Sequence, residues 1–106
     1  MIDADYFLQG LSRQVQELGG TALVSITLHA GGDFYVRDVV ETHQGHVLLN
    51  IWHGEAGRPI ASPSSSAYTE ELPSGHHPVA IAFESISCVN VLPAETEIHR
   101  RIGFRT

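Results

Sequence analysis

The sequence contains no lysine: all six basic residues are arginine, set against twelve Asp and Glu for a formal charge of −6. Such a surface repels a phosphate backbone on average, so binding of nucleic acid requires a local basic patch. Positive charge gathers only in the tail, where Arg100, Arg101 and Arg105 stand together. So short a run reads as a solvated end. Cysteine is nearly absent as well. The single Cys88 excludes an intrachain disulfide, fits a reducing compartment, and in the run SCVNV reads as a small buried hydrophobe. No apolar run approaches the roughly 20 residues that span a bilayer. The start, MIDADYF, lacks the basic opening of an export signal. The expectation is a soluble, cytoplasmic chain with no membrane partner.

Catalytic signatures are also missing. There is no G-x-S-x-G turn, and Gly31-Gly32 has neither the spacing nor the following helix of a phosphate loop. Ser64 to Ser66 and the pair Glu70-Glu71 fall in a stretch without regular pattern, so no acid–base or nucleophilic constellation is organised. The chain is read as non-enzymatic, with no catalytic residue, metal or cofactor implied.

What is present is an ordinary globular balance, 42% hydrophobic and 17% charged over 106 residues, enough for one domain with one core. Residues 3–18 read as a helix. Asp3 and Asp5 cap it, and Leu8, Leu11, Val15 and Leu18 form an apolar stripe with Phe7 on its edge. Gly10 weakens it by about 1 kcal/mol relative to alanine, and Gly19-Gly20 ends it.

From Thr21 the period changes to two, and residues 21–53 read as a three-strand meander. Val24, Ile26 and Leu28 share a face up to a turn at Gly31-Gly32. Phe34, Val36 and Val40 share the next, with Asp38 marking a bulge or bend. Gln44-Gly45 turns the chain again, and Val47, Leu49 and Ile51 follow on the core side. Leu48 and Trp52 face outward and need a cover, either the helix or a second copy. Residues 54–77, rich in Gly, Pro and Ser, read as a long flexible loop. Residues 78–92 hold two more strands, VAIAF and ISCVNVL, joined at Glu84-Ser85 by a step too short for a helical crossover. Such a step bends the chain sharply, as in a small barrel. Residues 93–106 form a tail in which Ile98 and Ile102 permit one docked helical turn. The expected core is Val24, Ile26, Leu28, Val36, Val47, Leu49, Ile51, Val79, Ile81, Phe83 and Val89. The fold class is all-β with one N-terminal helix: a small, strongly bent, five-stranded antiparallel barrel.

The order of elements, and FESISCVNVLP at Phe83 to Pro93 in particular, resembles the Sm-like family of Sm, LSm and Hfq proteins. The resemblance covers roughly residues 5–93 and implies an SH3-like barrel of Sm-like type that forms rings by pairing through strand edges, with RNA bound at its turns. Here those turns hold His43, Gln44 and His46, and Phe83 and Glu84, the candidate binding residues if such a pocket exists. RNA-binding members carry Asp and Asn at the first turn and Arg-Gly or Lys-His at the second. This chain has His43-Gln44-Gly45-His46 and Phe83-Glu84, and a carboxylate at the second turn opposes a phosphate.

Two other constellations remain. Seven histidines, with His43 and His46 flanking one turn and His76-His77 adjacent, raise a metal-binding module as an alternative. A zinc site needs three or four convergent ligands, and turn histidines in solvent are the simpler reading. Tyr35 and Trp52 face outward without arginines clustered beside them, so they read as core or interface rather than base-stacking residues. The expected function is a homo-oligomeric scaffold or binding module, with an RNA-binding ring as the alternative that the net charge disfavours.

Overall fold

The structure, a computed structural model, describes residues 2–54, 59 and 73–105. A π-helical turn, Tyr6–Gly10, runs into α1, Leu11–Glu17. Strands β1 (Ala22–Leu28), β2 (Asp33–Thr42), β3 (His46–His53), β4 (Gly75–Ala82) and β5 (Ile86–Pro93) follow, and α2, Glu97–Arg101, closes the order. A 3-10 turn, Phe83–Ser85, separates β4 from β5. The strands form one antiparallel sheet in the order β4-β3-β2-β1-β5. No described helix is long and apolar enough to cross a membrane.

The sheet bends at β2. Asp33 to Tyr35 pair with β1, whereas Val36 to Thr42 pair with β3. Register shifts between Val36 and Asp38, and between Val39 and Glu41, mark two bulges. Each adds a residue and increases the local twist. The bend wraps the sheet around one core, in which Val24, Ile26, Val36, Val47, Leu49, Ile51, Ile81 and Ile86 meet Phe7, Leu11 and Val15. Ile81 and Ile86 come from the two terminal strands, so the ends of the sheet approach each other over the same core. Among the described residues β4 and β5 share no ladder, and the sheet is open.

The helix corrects the expected stripe. Leu8 is 59% exposed and Leu18 is exposed, while Phe7 is buried with Leu11 and Val15. The amide of Leu11 donates to the carbonyl of Tyr6, the i to i−5 bond of a π turn. That wider turn aligns residues four apart, so Phe7 rather than Leu8 continues the line of Leu11 and Val15. Gly10 makes room for it, since a Cβ there would lie 3.0 Å from Cδ1 of Tyr6. Both glycine turns form as expected, with φ of 89° and 88° at Gly19 and Gly20 and 97° and 93° at Gly31 and Gly32.

Three further expectations change. The β2 bulges reverse the alternation, so Val39 packs on the core and Val40 is exposed. Cys88 is exposed rather than buried, because the face of β5 that it shares with Asn90 and Leu92 has no cover among the described residues. Leu28, Val79, Phe83 and Val89 are half-buried at the rim of the core, not inside it. Strand β4 begins at Gly75, within the stretch read as loop. Pro78 sits inside it opposite Asn50, a position proline tolerates on a terminal strand. Residues 55–58 and 60–72 of that loop lie outside the described residues.

Around Trp52 the outer face of the sheet is covered by the C-terminal segment, not by the N-terminal helix. Leu23, Tyr35, Trp52 and Ile102 form a second buried cluster. The segment after α2 lies along the sheet: the amide of Phe104 donates to Ala22 at 2.8 Å and that of Arg105 to Arg37 at 2.6 Å. Leu48, the other residue in need of cover, stays half-buried. The docked turn at Ile102 forms as its spacing suggests; the side chain of Ile98 lies outside the described part.

Candidate functional site

Four separate stretches converge at one end of the sheet. In the β2–β3 turn the amide of His43 donates to His46 at 2.9 Å. The amide of Phe83 donates to Gly45 at 3.1 Å, which fastens the 3-10 turn to that hairpin. The amide of His29 donates to Ser85 at 2.9 Å, bringing in the β1–β2 turn. The chain start completes the ring, with Oδ1 of Asp3 accepting the amide of Tyr6 at 3.1 Å as a helix cap.

Between these stretches lies an open groove of about 750 Å³. Gln44 and Gly45 line it from the hairpin, Phe83 and Glu84 from the 3-10 turn, and Ile86 and Ser87 from the start of β5. Ile2, Asp3 and His29 supply the remainder. The Phe83 ring stacks on Phe7, with centroids 5.9 Å apart and planes at 19°, which holds it in place as part of the wall. The ionisable lining is Asp3, Glu84 and His29, and no arginine contributes.

Of the five residues that the sequence nominates, the groove brings together Gln44, Phe83 and Glu84. His43 and His46 are not in its lining. Their rings stack on each other at 4.5 Å and 15° on an exposed turn, and Nε2 of His43 lies 3.0 Å from Oε1 of Glu41. Sequence reasoning misses Ile2, Asp3 and His29 as lining, because they come from stretches distant in sequence from both turns; the hydrogen bond to Ser85 is what brings His29 in. Only the capping role of Asp3 is visible in advance.

His53, His76 and His77 each meet one other ring rather than gathering. His53 and His77 lie 5.1 Å apart, and His76 meets the edge of Trp52 at 6.1 Å. Nδ1 of His53 donates to the carbonyl of Gly54 at 2.9 Å. Among the described residues no group of three or more His, Cys, Asp or Glu is placed to hold a metal ion.

Trp52 differs from expectation. Two guanidinium groups lie over its ring, Arg37 at 5.7 Å and Arg105 at 5.5 Å from the centroid. The tail thus brings an arginine that sequence spacing does not place beside it. With the indole only 7% exposed, the pair clamps a structural residue instead of presenting a platform for a base. Behind the groove, burial raises the Tyr6 phenol above its ordinary pKa, and its Oη donates to Oε1 of Gln14 at 2.6 Å.

Comparison of the chain with protein-family models, curated proteins and solved structures finds no match.

Proposed function

We propose that this chain is a non-enzymatic, self-associating binding module: an Sm-like bent barrel whose two terminal strands pair between copies, β4 of one with β5 of the next. One observation carries the reading. The strands β4 and β5 end the sheet on either side, and among the described residues each has a ladder partner on one side only. Natural sheet edges are blunted by charge or proline; neither GHHPVAIA nor ISCVNVLP contains Lys, Arg, Asp or Glu, and Pro78 removes a donor at only one position of β4 while Pro93 stands at the end of β5. The half-buried Val79, Val89 and Val91 sit where a paired neighbour would finish covering the core. Rotational closure would satisfy both edges and stop further growth.

Light scattering at micromolar concentration tests this: a mass that is a multiple of 11.5 kDa supports it, and a mass of 11.5 kDa overturns it. Ala80→Lys, on the exposed side of β4, should lower the mass to that of one chain while leaving the circular dichroism unchanged. A phosphate ligand fits the groove poorly, because Asp3 and Glu84 add like charge to an acidic chain. Submicromolar, salt-sensitive binding of a short oligouridine would replace this reading with an RNA-binding ring.

A further inference from the structure

We propose that the groove at the 3-10 turn binds an amphipathic organic cation, an amine or guanidinium carried on a short hydrocarbon body. The inference goes beyond the assembly reading and needs no second copy, because every lining residue belongs to one chain. The apolar part of the wall is Phe83, Ile2 and Ile86; the charged part is Asp3 and Glu84. The Phe83 ring is half-exposed, and its contact with Phe7 fixes it as an aromatic surface that attracts a cation over its face.

Chemistry sorts the possible occupants. An anion would meet two carboxylates and no arginine. A neutral hydrocarbon would strip water from those carboxylates and return no hydrogen bond. A bare metal ion would find too few ligands, and the cavity of about 750 Å³ is sized for an organic molecule. A cation on a hydrocarbon body suits the two carboxylates and the apolar wall together: carboxylates for the charge, ring and isoleucines for the body, with the imidazole of His29 at the side. Gln44 and Ser87 offer neutral hydrogen-bonding groups beside them.

Agmatine, a guanidinium and an ammonium on a four-carbon chain, is the probe; n-butanol and inorganic phosphate are the controls. Titration by calorimetry, with amide shifts followed by NMR, should give a saturable dissociation constant on the order of 10⁻⁴ M for a ligand of this size. The shifts should centre on Gln44, Phe83 and Glu84. Salt should weaken the binding. The double variant Asp3→Asn, Glu84→Gln should weaken it about tenfold by removing two charged acceptors. An asparagine in place of Asp3 still caps the helix, so the fold survives this change. Phe83→Leu, which retains apolar bulk, should weaken binding about threefold through loss of the ring. Failure to saturate at millimolar agmatine, an unchanged constant in the double variant, or equal binding of butanol or phosphate overturns the proposal. Repeating the titration on Ala80→Lys separates the two readings: an unchanged constant supports a one-chain site whatever the assembly state, and lost binding by a folded single chain overturns it.

Discussion

The indole Nε1 of Trp52 donates to the backbone carbonyl of Gly103 at 3.2 Å, across 51 positions of sequence. Through this bond the outer face of β3 and the C-terminal segment become one structure. Ile102 packs beside the indole, Arg105 lies over it, and the amides of Phe104 and Arg105 tie the segment to β1 and β2. The side chain that looks most in need of a partner in the sequence is satisfied from within its own chain.

If the strap stabilises the sheet, Ile102→Ala should lower unfolding free energy by about 2–5 kcal/mol, as for other buried aliphatics. Tryptophan emission should shift to the red as water reaches the indole. Gly103→Ala should cost about 1–3 kcal/mol through crowding, since a Cβ there would lie 3.3 Å from the carbonyl oxygens of Ala22, Arg100 and His99. Denaturant titration with fluorescence detection checks both. An unmoved spectrum and an unmoved midpoint would mean that the strap is decoration.

Much of this fold was legible because each clue was local. Val47, Leu49 and Ile51 alternate within one strand, and the glycine pairs stand where the chain turns through positive φ. The bulges in β2 were not legible in detail, because Val39 and Val40 are the same residue and hydropathy cannot choose between them. The strap was only half visible. Ile102 and Trp52 each advertise a buried surface, yet nothing in the intervening sequence says that they share one. The groove was visible in its two turns, through Gln44, Phe83 and Glu84, and hidden in Asp3 and His29, which arrive through tertiary contacts.

The π turn makes its own forecast. Phe7→Ala should destabilise the protein by about 3–5 kcal/mol, the cost of a buried aromatic. Leu8→Ala should change stability by no more than about 0.5 kcal/mol, as an exposed substitution does. A regular α-helix with the expected stripe would bring the two values together, so urea unfolding of both variants discriminates.

Cys88 should be modified by a thiol reagent in native buffer at nearly the rate seen in denaturant, because its side chain is exposed on β5. A thiol reachable only by global unfolding would react more slowly by a factor of at least about 10³. The comparison is one absorbance trace with and without guanidinium. A slow native reaction would place β5 under cover, consistent with the burial that its apolar neighbours suggest.

The last forecast uses the missing lysines. Between pH 9 and 11 most proteins titrate many lysine amines at once; this chain has no lysine and three tyrosines. Burial raises the Tyr6 pKa above 10.0 in the folded state, and its hydrogen bond to Gln14 needs the phenolic proton. The unfolded chain therefore releases this proton first. Above about pH 10 the folded state binds more protons than the unfolded one, so stability falls as pH rises. The contribution is whole below the unfolded pKa and disappears as pH climbs through the folded one. Tyr6→Phe removes the ionisable group, so its stability should decline less steeply from pH 9 to 11 than that of the parent. Parallel slopes in the two proteins would show that the phenol is as well solvated folded as unfolded.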